Sequence, residues 1–138
     1  MIVLDTNVFS ALMQVAPEPK VIAWLNRQPR TSVWTTSVTV FEIRFGLQIM
    51  ASGKRRTALL QSFESLLERI EHRVAFFDDA AADYSADLMA SRQNKGRPCD
   101  LRDTMIAGIV VARQAAIATR NVTHFADTSA TVINPWTA

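Results

Sequence analysis

Short unbroken apolar runs alternate along this chain with longer stretches whose apolar residues recur every three or four positions, the spacing of a buried helix face. Residues 1–4 are the first run; it stops at Asp5 and reads as a buried strand. Residues 7–14 suggest a helix, ended by Ala16-Pro17-Glu18-Pro19. Residues 20–28 suggest a second, with Val21, Trp24 and Leu25 at helical spacing and Pro29 as the break. Residues 32–36 read as a strand. Ser37 or Thr39 is placed to cap the next helix, which runs to about residue 51 and closes at Gly53. Residues 54–70 put Leu59, Leu60, Phe63, Leu66, Leu67 and Ile70 on one stripe. A strand is expected at 73–77 and a helix at 79–94, ending at Gly96, with Arg97-Pro98 as the break. Asp100 or Leu101 opens an apolar helix that runs to residue 115. Strands at 116–119 and 131–133 complete the series before Pro135.

Strands that alternate with helices and are themselves continuous apolar runs predict an α/β domain with a parallel sheet covered on both faces. Right-handed crossovers leave few arrangements, and in such sheets sites form beyond the carboxyl ends of the strands. With 138 residues, the chain has the length of one domain spanning 1–138. A domain of that size buries roughly two-thirds of its unfolded surface and needs no disulfide or structural metal to fold. Hydrophobic residues make up 49% and the mean hydropathy is +0.07, which argues against disorder. Cys99 is the single cysteine, so an internal disulfide is excluded and a reducing, cytoplasmic compartment is expected. The N-terminus has no secretory pattern, and charges interrupt every apolar run before it reaches membrane-spanning length. A net charge of +2 with a pI near 9.1 permits nucleic-acid binding without arguing strongly for it.

Placing the acids on this frame changes the picture. Asp5 falls at the carboxyl end of the first strand, and Asn121 just beyond that of the fourth. Glu42 shares a helix face with Phe45, Gly46 and Ile49, and Asp103 with Ile106, Ala107 and Val110. Both carboxylates are thus expected to point toward packing, where an acid must neutralise, pair or bind a cation. Two carboxylates ~5 Å apart repel by roughly 3 kcal/mol at an effective dielectric of 20. A hard divalent cation with oxygen ligands removes that cost.

Plainer readings stand beside this one. Asp5 and Asp100 are also good helix caps, Asp103 suits a first helical turn, and Arg44 is near enough in sequence to pair with Glu42. His72 and His124 lack metal-ligand spacing and read as surface residues. Trp24 and Trp34 suit core or interface; Lys54-Arg55-Arg56 suits a solvated turn or a phosphate-contacting surface.

At the same residues the chain resembles a known family. Leu4-Asp5-Thr6-Asn7-Val8 resembles the opening motif of PIN domains. The stretch from Thr39 to Gly46 resembles the segment carrying their second acid, here Glu42, and Asp103-Thr104-Met105-Ile106-Ala107 the helix carrying the third. Ala118-Thr119-Arg120-Asn121 with His124-Phe125 resembles the closing segment, and Asn134-Pro135-Trp136 is similar to the tail of the branch containing VapC- and FitB-type toxins. Five motifs in order span nearly the whole chain.

The resemblance implies a three-layer sandwich around a mainly parallel sheet, with Mg²⁺ or Mn²⁺ held by Asp5, Glu42 and Asp103. It implies endonucleolytic RNA cleavage and a toxin's role opposite a small antitoxin, with a homodimer and a larger assembly expected. A weakly active or inactive binding subunit of a regulatory complex is the runner-up. Asn121 stands where the family offers a fourth acid; its carbonyl oxygen can join the catalytic group but adds no charge. Thr6 and Thr119 are expected to orient carboxylates, and Arg44, Arg97, Arg102 and Arg120 to guide RNA past an acidic pocket. An antitoxin arginine or lysine would suit that pocket. Phe9, Leu12, Met13, Trp24 and Leu25 are either core or an apolar surface for the antitoxin.

Overall fold

The structure, a computed structural model, describes residues 1–98 and 100–138; the disulfide argument from Cys99 therefore lies outside the described residues. The elements are β1 (Ile2–Leu4), α1 (Thr6–Leu12), α2 (Pro19–Arg27), β2 (Val33–Thr36), α3 (Ser37–Ile49), α4 (Lys54–Arg69), β3 (Val74–Ala75), α5 (Asp79–Asn94), α6 (Leu101–Ala112), β4 (Ala116–Ala118), a 3-10 turn (Val122–Phe125) and β5 (Val132–Ile133). The strands form one sheet in the order β3-β2-β1-β4-β5, and every pair is parallel.

Alternation along each strand divides the core in two. Leu4 and Ala118 point into one layer, with Val8, Phe9, Trp24, Ile43, Phe63 and Leu67 from α1 to α4. Val3 and Ile117 point into the other, with Ala81, Ile106, Ile109 and Val110 from α5 and α6. The result is the expected three-layer sandwich. Phe9, Met13, Trp24 and Leu25 are all buried, so the core reading holds for them; Leu12 is partly buried against the same layer.

Local chemistry sets the helix starts. Pro19 occupies the first turn of α2, where its missing N–H is no loss. Asp78 caps α5 through Ala81 N (3.0 Å), and Asp100 caps α6 through Asp103 N (3.0 Å). The cap of α3 is neither Ser37 nor Thr39 but Thr36, the last residue of β2, whose extended backbone lets its hydroxyl accept from Thr39 N (3.1 Å). Ser37 instead accepts from Phe77 N (3.1 Å), tying α3 to the exit of β3. Gly53 precedes α4 rather than closing α3, which ends at Ile49. The apolar helix stops at Ala112 rather than at residue 115, because Gln114 turns left-handed (φ 52°) to lead into β4. The 3-10 turn has too short a period to have shown in the sequence.

The α5–α6 contact depends on a glycine. A Cβ on Gly108 would lie 1.9 Å from Ser85 Oγ and 2.6 Å from the Ala81 carbonyl oxygen. Only hydrogen at that position lets the two helices approach. No helix among the described residues is long and apolar enough to cross a membrane.

Candidate active site

β1 lies between β2 and β4; the chain leaves β1 toward β2 and leaves β4 the other way toward β5, which makes the gap between β1 and β4 a topological switch point. Asp5 follows β1 and Thr119 follows β4, so the fold brings together residues 114 apart. Asp5 is almost fully buried. Its Oδ1 accepts from Thr6 N (2.8 Å), and its Oδ2 from Thr119 Oγ1 (2.7 Å) and Asn7 Nδ2 (3.2 Å). Asp5 is thus both the cap of α1 and a group aimed at the switch point; the two readings of it are compatible.

Thr6 carries the site across to α3. Its hydroxyl donates to Glu42 Oε1 (2.8 Å) and lies 3.0 Å from the Thr39 hydroxyl. The other Glu42 oxygen faces Arg102 Nη1 at 3.6 Å. The alternative pairing with Arg44 does not form; that guanidinium lies over the Phe63 ring, 5.0 Å from its centroid. The packing argument for Glu42 also fails, because Phe45 and Ile49 on its face are exposed. α3 buries Val38, Thr39, Ile43 and Leu47 instead. Helical spacing shows which residues share a face, not what that face meets.

For Asp103 the argument holds: Ile106, Ala107 and Val110 are buried. Asp103 stands in the first turn of α6, where the helix emerges, and its Oδ2 lies 2.7 Å from His124 Nδ1. A carboxylate only accepts, so Nδ1 carries the proton. His124 is therefore more than a surface residue. Asn121 is exposed, and its contact with the site runs through its backbone N–H, which donates to Thr119 Oγ1 (3.0 Å).

Asp5, Glu42 and Asp103 come from three elements, and their charges meet at Asp5. Burial pushes the Asp5 carboxyl up from 3.8 to about 6, against the hydrogen bonds from Thr119 and Thr6, and the charges of Asp103 and Glu42 add to the rise. An acid so disfavoured in its charged form is what a bound cation would relieve. Among the described residues no three His, Cys, Asp or Glu side chains close into a chelating set. Asp5, Glu42 and Asp103 offer carboxylate oxygens, the donors a hard divalent cation takes.

Comparison with known proteins bears on the same residues. The family model described as PIN domain matches residues 2–130. The chain belongs to the PIN-domain family. It is similar to a protein named VapC ribonuclease Y4jK from Sinorhizobium fredii, 41% identical over 99% of this chain and 98% of that one. It is also similar to Toxin FitB of Neisseria gonorrhoeae, at 31% identity over 99% of each. Among solved structures, the crystal structure of FitAcB from Neisseria gonorrhoeae superposes with a TM-score of 0.89 at 30% identity, covering 100% of both chains.

In this PIN domain two clefts flank the acids. One, of about 400 Å³, is lined by Arg92, Arg97, Asp100, Asp103, Thr123 and His124. The other, of about 320 Å³, runs from Glu42 past Gly46 and Met50 to Arg55. Below the first lies a residue the sequence reading did not single out. Arg92 is 4% exposed; it pairs with both oxygens of Asp127 (2.9 Å each) and donates to Thr104 Oγ1 (3.0 Å) and the His124 carbonyl oxygen (2.6 Å). These bonds hold the Asp127 carboxyl below its usual range. Nothing in the weakly amphipathic pattern of α5 marks Arg92 as buried. His124 gave a faint signal only, by lying next to Phe125 in the closing motif.

Proposed function

We propose that this PIN domain is a metal-dependent endoribonuclease and the toxin of a type II toxin–antitoxin pair. The observation that carries the reading is the Asp5 carboxyl at the switch point, raised to about 6 chiefly by burial, with the charges of Asp103 and Glu42 adding to the rise. The names of its relatives, VapC ribonuclease and Toxin FitB, support the same conclusion.

Asp5 and Asp103 would hold Mg²⁺ or Mn²⁺, directly or through waters, and Glu42 would complete the acidic pocket. When bound, the cation supplies charge stabilisation for the phosphodiester and a more acidic attacking water. The chain's own residues do the rest. Thr119 and Thr6 fix the Asp5 carboxylate, and Thr6 fixes one Glu42 oxygen, so the acids are oriented before substrate arrives. Asn121, which is exposed and adds no charge, would contribute its carbonyl oxygen to water or RNA. An acidic centre repels a polyanion, so cations around it must carry the RNA. Arg97 and Arg102 border the acids; Arg120 is held over the Trp136 ring at 4.9 Å and Arg44 over Phe63.

The proposed protein partner is a small antitoxin, whose arginine or lysine would pair with the same carboxylates. Its apolar anchors must bind elsewhere than Phe9, Met13, Trp24 and Leu25, which are buried. Self-association belongs to the same proposal, and Phe41, Phe45 and Ile49 on the outer side of α3 are exposed apolar candidates for it.

The test is cleavage of total bacterial RNA by the purified chain with Mg²⁺ or Mn²⁺, with EDTA, and by Asp5→Asn. Metal-dependent cleavage lost in both controls is expected, with growth arrest on expression that Asp5→Asn abolishes at equal protein level. Cleavage that survives EDTA overturns the metal, and no cleavage with either ion leaves a binding subunit.

A further inference from the structure

We infer that His124 is a positioning residue for Asp103, presetting that carboxylate for the cation; the inference rests on the metal reading above. The contact itself is direct, His124 Nδ1 to Asp103 Oδ2 at 2.7 Å, between residues 21 apart in sequence. It ties down Oδ2 of a carboxylate whose charge is felt at Asp5. Outer partners of this kind fix ligand orientation, and their loss weakens metal binding about 10- to 100-fold.

Both ends of the contact are anchored to one buried guanidinium. Arg92 Nη2 holds the His124 backbone through its carbonyl oxygen, and Nη1 holds Thr104, the neighbour of Asp103, through its hydroxyl. Thr104 in turn donates to the Asp100 carbonyl oxygen (2.8 Å), and the Asp100 side chain accepts from Asp103 N (3.0 Å). Phe125, the next residue after His124, is 1% exposed and pins the 3-10 turn to the core. Asp103 and His124 are thus held facing each other by bonds that do not involve their own side chains. An exposed histidine meeting an acid by chance would lack that scaffold. The imidazole side chain is 49% exposed, so it contributes little to the core, and replacing it leaves the scaffold in place.

The experiment uses the full chain. Mn²⁺ affinity is measured by calorimetry without RNA for wild type, His124→Phe and His124→Asn, alongside metal-free melting and cleavage of total bacterial RNA. Phenylalanine keeps ring volume but removes the donor; asparagine places an amide N–H near the position of Nδ1. His124→Phe is expected to bind Mn²⁺ about tenfold more weakly and to need correspondingly more Mn²⁺ for cleavage. His124→Asn should restore most of the affinity, and both variants should melt metal-free within a few degrees of wild type. Wild-type affinity in His124→Phe overturns the positioning role while leaving the metal reading intact. Equal weakness in His124→Asn shows that the donor is not what matters and overturns it too. Failure of the wild type to bind Mn²⁺ overturns the metal reading and the positioning role together.

Discussion

Asp5 sits where burial and charge act in the same direction. The folded chain binds its proton more tightly than the unfolded chain does, so Asp5 contributes stability that is complete below the unfolded value of 3.8 and lost as pH rises through about 6. Over that interval the metal-free protein forfeits up to about 3 kcal/mol at this one group. Asp5→Asn removes the ionisation. The variant is expected to melt at or above the wild type at pH 8 without metal, and to lose the part of the pH dependence between 4 and 6 that belongs to Asp5. Thermal melts of both proteins across that range check it; a variant several kcal/mol less stable at pH 8 would make Asp5 chiefly a helix cap.

Elements meet through two contacts that respond to mutation in different ways. Gly108 allows α6 to lie against α5, and a methyl there would overlap Ser85 Oγ and the Ala81 carbonyl oxygen. Gly108→Ala should therefore destabilise by roughly 1–3 kcal/mol despite the higher helix propensity of alanine, because overpacking outweighs propensity. Denaturant unfolding would show a lower midpoint; a raised midpoint would mean that the helices can separate freely. Arg92 joins α5 to α6 and to the 3-10 turn. Arg92→Met would take from Asp127 its buried partner and leave it Arg97 Nη1 at 3.0 Å, a loss of roughly 2 kcal/mol. The Asp127 carboxyl is held below its usual value, first by the Arg92 hydrogen bond. Its contribution is therefore present above the unfolded value of 3.8 and lost as pH falls through the lower folded one. Acid titration should expose that loss in the wild type and a smaller one in Arg92→Met, where Arg97 still holds the Asp127 carboxyl down.

At the scale of the whole molecule these groups oppose each other. Of these two groups, Asp5 adds stability on acidification until Asp127 begins to protonate, so their combined contribution should peak at about pH 4 in the metal-free protein. A cation binding only the folded state should move that peak toward neutrality. Mn²⁺ or Mg²⁺ at about 100 times its dissociation constant is worth about 2.7 kcal/mol, or roughly 10 °C in Tm for a domain of this size. Differential scanning fluorimetry at pH 7.5 with and without the ion measures it; no shift at millimolar concentration of either ion would remove the case for a bound metal.

The sequence by itself determined the order and kind of the main elements and the residues that end them at the site. Apolar periodicity, proline breaks and Asp caps are local, and the burial of Ile106, Ala107 and Val110 beneath Asp103 followed from spacing alone. The motifs around Asp5, Glu42 and Asp103 were legible for the same reason: each lies within a few consecutive residues. What each acid would meet was not legible. Glu42 meets Thr6, 36 residues away, and Arg102 rather than Arg44; Asp103 meets His124; Asp5 meets Thr119, 114 residues away. Likewise α3 and its face bearing Phe45 and Ile49 were visible in the pattern, but that face is exposed, and Arg92 was hidden in a polar stretch, yet it is buried. Periodicity reports neighbours three and four residues apart on one element. Partners across elements are set by which helix covers which side of the sheet and how closely it can approach. Packing of the assembled layers decided that, through contacts such as Gly108 against Ser85 and Arg92 against Asp127.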